Sequence, residues 1–239
     1  MDAVGRLILV PTPIGNLADL THRAETVLRE VDVIACEDTR HSGRLLQHYE
    51  IDTPRVSLHE HNEAMRSDAL VQEMKAGKTV ALISDAGAPT ISDPGQRFLQ
   101  RCLAEEIPYD VLPGPSAVIT ALSGSGLPTD VFYYGGFLPN KSGQRQRVLE
   151  SALAREETCV FFESPHRILR SLEVLAHRDP ERWVCVAREL TKRHQEFRRG
   201  RTQVLHSYYS AHPPKGEITL VIGPSRLPKW FASSPKDVS

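Results

Sequence analysis

The sequence predicts an α/β protein of two lobes, the first on a mainly parallel sheet and the second on a mixed one. Three observations predict it. Short apolar runs alternate with longer amphipathic stretches along the chain, which is the pattern of βαβ units. Pro113-Gly114-Pro115 breaks that alternation near mid-chain, because two prolines flanking a glycine continue neither strand nor helix. The length of 239 residues is long for one layered core and comfortable for two. The lobes are therefore drawn as 1–113 and 114–224, with 225–239 as a flexible tail rich in proline and serine.

In the first lobe the strands fall at Arg6–Val10, Val31–Cys36, Arg55–Leu58, Thr79–Ile83 and Tyr109–Leu112. Helical patterns lie between them at Leu20–Glu30, Ser42–Tyr49, Asn62–Lys75 and Gly95–Glu105, with Gly77 and Gly95 as stop and entry signals. A short small-residue helix, Ser116–Ser125, follows the break. The second lobe resumes with strands at Val131–Gly135, Thr158–Phe162, Arg182–Ala187, Glu196–Gly200 and Glu217–Ile222. Its helices are expected at Ser142–Ala154, Pro165–Ala176 and Thr202–Tyr209. Two strands in close succession, around Ala187 and Phe197, predict antiparallel pairing and hence a mixed sheet.

Composition narrows the function classes. The formal charge is −1, unlike a free-standing RNA-coating protein, so any nucleic-acid contact has to come from local basic patches. Arg188–Arg201 holds six Lys/Arg against two Asp/Glu, and with Lys141, Arg145 and Arg147 it predicts a phosphate-binding surface on the second lobe. Tyr133, Tyr134 and Phe137 are candidates to stack on a base, with core packing as the alternative. Cys36, Cys102, Cys159 and Cys185 form no CxxC pair and read as buried free thiols, without zinc. Leu7–Val10 is too short for a signal-peptide core or a membrane span, so a soluble cytoplasmic protein is expected.

The unusual chemistry sits in the turns after strands, where open α/β sheets bind ligands. Val10-Pro11-Thr12-Pro13-Ile14-Gly15-Asn16-Leu17 follows the first strand. It lacks both GxGxxG and GxxxxGK[ST], which weighs against a dinucleotide or triphosphate. Its prolines give a rigid apolar wall suited to an adenosine or a thioether. Residues 84–95, SDAGAPTISDPG, are too long for a simple turn. Asp85 can accept from ribose or amino donors or face a sulfonium. Asp93 reads more simply as a cap for the next helix. Pro113–Ala117 offers a glycine for close approach and a helix N-terminus at Ser116.

Polar clusters follow other strands. Glu37-Asp38-Thr39-Arg40-His41 can pair internally or meet a substrate. His59-Glu60-His61-Asn62-Glu63 is not HExxH and specifies no third ligand, so Asn62 reads as a helix cap and no metal is assigned. Glu163 lies at a strand end, before Ser164-Pro165, a good helix start.

Taken in order, PTPIGNL (11–17), CEDTR (36–40), HEHN (59–62), SDAGAPTISDPG (84–95), PGPSA (113–117), GFLP (136–139), FFESPHR (161–167), ARELTKRHQE (187–196) and KGEITLVIG (215–223) resemble the ribosomal RNA small-subunit methyltransferase I family, a branch of the tetrapyrrole methylases. The resemblance covers nearly the whole chain. It implies S-adenosylmethionine in a cleft between the lobes, a homodimer, and methyl transfer to the ribose 2′-hydroxyl of a cytidine in small-subunit ribosomal RNA. It carries Pro11, Asp85, Ala88, Ile91, Ser116, Ala117, Leu190, Gly216, Glu217 and Ile218 over as cofactor positions.

A ribose hydroxyl is barely ionised at neutral pH, so a positioned base is expected. Glu37, Asp38, His59 and Glu163 are the candidates, with Lys141 or Arg40 as groups that lower the hydroxyl's pKa. The near-neutral charge favours the assembled small subunit over naked RNA. Two rivals remain: a tetrapyrrole methylase acting on a small macrocycle, and a non-catalytic RNA-assembly factor. The basic run argues against the first and the intact Asp85 loop against the second. A hydrolase using His59 and His61 lacks a ligand set.

Overall fold

The computed structural model describes residues 4–231, which fall into two compact units divided between Ser116 and Ala117, just past the Pro-Gly-Pro break. In the first unit the elements run β1 (Leu7–Leu9), α1 (His22–Glu30), β2 (Val33–Cys36), α2 (Thr39–His48), β3 (Arg55–Ser57), α3 (Glu63–Lys75), β4 (Val80–Leu82), α4 (Gln96–Ala104) and β5 (Tyr109–Val111). A 3₁₀ turn at Leu17–Asp19 precedes α1. The sheet order is β3-β2-β4-β1-β5, with every pair parallel.

Successive strand residues point to opposite faces, and both faces are covered. Leu7, Leu9, Val33, Ala35, Val80 and Leu82 pack on Leu70, Met74 and Phe98 of α3 and α4. Ile8, Ile34, Cys36 and Ala81 pack on Ala24, Leu28 and Leu46 of α1 and α2. Uninterrupted apolar runs such as Leu7–Val10 are the consequence.

The second unit comprises α5 (Ala117–Ser125), β6 (Phe132–Phe137), α6 (Ser142–Leu153), β7 (Thr158–Glu163), α7 (Ile168–Arg178), β8 (Trp183–Arg188), β9 (Glu196–Arg201), α8 (Thr202–Ala211) and β10 (Ile218–Ile222). Its sheet order is β6-β7-β10-β8-β9, parallel only between β6 and β7. Ala187 and Phe197 are direct partners in the β8–β9 ladder, so the second sheet is mixed. Phe161, Val186, Leu220 and Ile222 meet Leu149, Leu172, Leu175 and Leu205 of α6, α7 and α8 in one core, while α5 packs against the strands separately.

Several boundaries differ from expectation for local reasons. Helix α2 begins at Thr39 because the Asp38 carboxylate caps it, accepting from Arg40 N (2.8 Å) and His41 N (3.4 Å). Helix α7 begins at Ile168 rather than Pro165, since the Ser164 carbonyl first closes a turn with Arg167 and Ile168. Asn62 does not cap α3 with its side chain. It instead accepts from His59 N (2.9 Å) and donates to the Ser57 carbonyl (3.2 Å), bracing the turn after β3.

The start of the predicted tail is packed: Phe231 is buried, edge-on to Trp183 at 5.3 Å, and Ser225 N donates to the Arg155 carbonyl. Residues 232–239 of that tail lie outside the described residues. All four cysteines are free and buried. Among the described residues no helix is long and apolar enough to cross a membrane.

Candidate functional site

Three loops of the first unit converge at the carboxyl ends of β1, β4 and β5. Thr12 and Gly87 form an antiparallel bridge, with Thr12 N to Gly87 O at 2.9 Å and Gly87 N to Thr12 O at 3.0 Å. The Thr12 hydroxyl donates to the Ser84 carbonyl, and the Ser84 hydroxyl to the Gly87 carbonyl, each at 2.9 Å. Gly114 closes the third side: a Cβ there would lie 2.7 Å from the Pro11 Cβ, so only glycine lets the two proline turns touch. Pro11 is thereby buried, Asp85 and Ala88 are half-buried, Ile91 is 48% exposed, and Ser116 ends the unit.

Backbone strain marks the same loop. Thr90 (φ 73°) and Ser92 (φ 63°) are left-handed on either side of Ile91. In the second unit Glu189 (φ 52°) and Thr191 (φ 65°) flank Leu190 in the same way. Such residues are disfavoured by roughly 1–2 kcal/mol each and concentrate where geometry serves a ligand. Leu190 is tied to the other positions carried over by the resemblance. The Glu189 carboxylate accepts from Glu217 N (2.9 Å), Glu189 N donates to the Glu217 carbonyl, and Ile218 pairs with Arg188. Gly216 fits against Glu189, where a Cβ would come within 2.2 Å of its carboxyl carbon. Ala117 opens α5.

Beside the first-unit loops lies an acidic group. Asp38 N makes a long 3.4 Å contact to Asp85 Oδ1. Burial, reinforced by the Glu37 and Asp85 charges, pushes the Asp93 carboxyl up to about 6, with Ser84 opposing. Burial and the Asp85 charge also raise Glu37, while nearby His59 lowers it. The Nδ1 of His59 is buried without a partner.

Asp93 is therefore part of the polar cluster and not a cap. The α4 N-terminus is capped from α3 instead, where the buried Glu63 carboxylate accepts from Gly95 N (3.0 Å) and Phe98 N (3.1 Å). Sequence reading missed Glu63 because its partners lie more than thirty residues away.

The other base candidates are occupied differently. Asp38 is spent on capping α2, and those backbone donors hold its carboxyl below the ordinary value. The Glu163 side chain is wholly enclosed and held by Arg167 (2.9 Å), Ser171 Oγ (2.6 Å) and Ser164 N (2.7 Å), a structural role. Arg40 is exposed, 3.6 Å from Asp38, and Lys141 is exposed at the start of α6.

The basic surface expected on the second unit is largely neutralised internally. Arg188 and Arg198 both pair with Glu196, Lys192 with Glu189 and Glu217, and Arg201 with Glu181, while Arg199 donates to the Gly124 carbonyl. Arg145 is buried against the Pro139 and Asn140 carbonyls. Pairing across the β8–β9 ladder consumes charges that the linear sequence shows as a surplus. On β6, Tyr133 and Phe137 stay partly exposed, with Arg155 over the Tyr133 ring at 3.9 Å and Phe137 tilted on Phe162.

A family model for tetrapyrrole (corrin/porphyrin) methylases matches residues 6–205. A ribosomal RNA small subunit methyltransferase I from a Synechocystis strain is 48% identical over 98% of this chain and 85% of its own length. The protein of that name from Thermotoga maritima is 45% identical over 92% of this chain and 98% of its own. Among solved structures, a diphthine synthase superposes with a TM-score of 0.71 at 14% identity, covering 92% of this chain and 90% of the other. A Thermus thermophilus uroporphyrin-III C-methyltransferase complexed with S-adenosylhomocysteine gives 0.61 at 18%, covering 92% and 97%. These two likenesses establish the tetrapyrrole-methylase fold. The chain belongs to the ribosomal RNA small subunit methyltransferase I family of the tetrapyrrole methylases.

Proposed function

We propose that this protein is a cytoplasmic methyltransferase that moves a methyl group from S-adenosylmethionine to the ribose 2′-hydroxyl of a cytidine in small-subunit ribosomal RNA. The observation that carries the reading is the convergence of the three strand-end loops on the Thr12–Gly87 bridge, in a chain nearly half identical to relatives of that name. Those loops fit the cofactor. Pro11, Ala88 and the exposed Ile91 offer an apolar wall, Asp85 places a carboxylate beside it, and the Gly114 backbone closes against Pro11. When bound, the cofactor supplies a methyl group already activated by its sulfonium.

The chain's own residues then align the acceptor and take its proton. Glu37 is the best-placed base. Its raised pKa moves it toward the working pH, as general-base catalysis favours, and His59 stands beside it. Glu37→Gln is expected to lower kcat by about 100-fold with cofactor affinity unchanged. Unaltered turnover removes Glu37 from the mechanism.

The reading includes a homodimer. Edge strand β6 and the residue before it expose Val131, Phe132, Tyr133 and Phe137, which supports a second copy as occupant. Sedimentation at micromolar concentration tests it, and a monomer there refutes it.

The deciding experiment is transfer of labelled methyl to purified small subunits, followed by nucleotide mapping. Label on a cytidine ribose is expected. No label with cofactor binding intact moves the acceptor to a small macrocycle. Loss of both points to a non-catalytic assembly factor.

A further inference from the structure

In the first unit, α2 and the segment entering β3 enclose an open groove of about 950 Å³ lined by Arg40, Gly43, Arg44, Glu50, Asp52 and Arg55, among others. Arg44 and Arg55 are exposed, and among the described residues neither guanidinium is held by an ion pair or hydrogen bond. Arg40 has only Asp38, at 3.6 Å, with its own side chain 93% exposed. Gly43 shapes the wall: a Cβ there would stand 3.1 Å from Arg55 Nη1, so glycine in mid-helix lets that guanidinium lie across α2. The arrangement contrasts with Arg188–Arg201, whose charges are mostly consumed in pairs.

The lining is not that of a site for a small anion. The volume is far beyond one phosphate, and the two carboxylates on the wall oppose a dense polyanion. Widely spaced phosphates alternating with hydroxyl and amino donors match it better, because guanidinium forks take phosphate oxygens and carboxylates accept from ribose hydroxyls and base amines. The groove also starts beside the candidate site, since Arg40 lies two residues from Asp38, whose amide faces the Asp85 carboxylate.

We propose that this groove binds the sugar-phosphate backbone of the RNA substrate next to the acceptor nucleotide, with Arg44 and Arg55 on two phosphates, Arg40 at the end nearest the acceptor, and Asp52 and Glu50 on ribose hydroxyl or base amino groups. The inference rests on the reading of the protein as an RNA methyltransferase.

The test uses the full chain and small ribosomal subunits lacking the modification. The double variant Arg44→Ala/Arg55→Ala is compared with wild type and with Arg97→Ala/Arg170→Ala, a charge-matched control at exposed positions elsewhere. The expected result for the groove variant is a KM for subunits raised about 10-fold with kcat and S-adenosylhomocysteine affinity retained. The slope of log KM against log salt should fall by about 1.4, from roughly 0.7 per phosphate lost on single-stranded RNA. The control should follow wild type. An unchanged KM and slope in the groove variant, with wild type active, overturns the inference and leaves the methyltransferase reading standing. So does an equal loss in the control. A wild type that methylates no RNA overturns both. Melting temperatures separate any misfolded variant, and Arg44→Gln/Arg55→Gln, which keeps most of each side chain's length, repeats the measurement in that case.

Discussion

Asp93 carries the largest carboxyl shift among the described residues, and its sign sets a direction for stability. Its folded-state value, about 6, lies above the ordinary 3.8. Proton binding therefore favours the folded form. The contribution is complete below about pH 4 and is lost as the pH rises through about 6. Asp93→Asn removes that loss, so the variant should be more stable than wild type near pH 7.5 by about 1 kcal/mol, discounted for partial exposure, with the gap closing near pH 4.5. Thermal melts at the two pH values check it, and a gap that widens on acidification contradicts it. Glu163 makes the opposite point. Its side chain is fully enclosed with Arg167 against it, so Glu163→Ala should cost about 3 kcal/mol in urea unfolding through the stranded charge. Activity should fall only in step with the folded fraction. The two carboxylates follow similar apolar strands in the sequence. What separates them is the set of donors each meets after folding, and no local pattern records that.

At the level of elements, α4 depends on α3. Glu63 satisfies two amides of the α4 N-terminus from across the fold, so Glu63→Ala should destabilise the first unit by about 1–2 kcal/mol. Hydrogen exchange should show the loss first at Gly95 and Phe98, and protection unchanged there would assign the carboxylate no capping role. The strands and helices themselves were legible, because a sheet buried on both faces demands uninterrupted apolar runs and its crossover helices demand amphipathic ones. Helix starts were less legible. Asp38 caps locally and fits the usual pattern, whereas the α4 cap is borrowed and the Ser164 turn delays α7 by several residues. The converging loops were visible as Gly- and Pro-rich turns after strands. The bridge joining Thr12 to Gly87 was not, since it links two turns far apart in the chain.

For the molecule as a whole, a net charge of −1 means that electrostatic attraction to RNA is a local property. Recognition then leans on the shape of a folded target, and the protein should methylate assembled small subunits faster than naked ribosomal RNA, by about 10-fold or more if only one or two correct contacts are lost. Equal initial rates on the two substrates would dispose of that expectation. The two-lobed division was legible from the Pro-Gly-Pro break. The distribution of free charge was not: the sequence places the surplus in Arg188–Arg201, and the folded chain leaves unpaired guanidinium groups on α2 and at Arg55 instead.

The four buried thiols have a practical consequence. Burial pushes Cys102 and Cys185 up to about 12 and Cys159 up to about 11, and Cys36 is raised as well. Maleimides and iodoacetamides react with thiolates, which these sites scarcely form at neutral pH. The native chain is therefore a silent background for site-directed labelling. A single cysteine introduced on its surface can carry a fluorophore or spin label without first stripping out the natural ones.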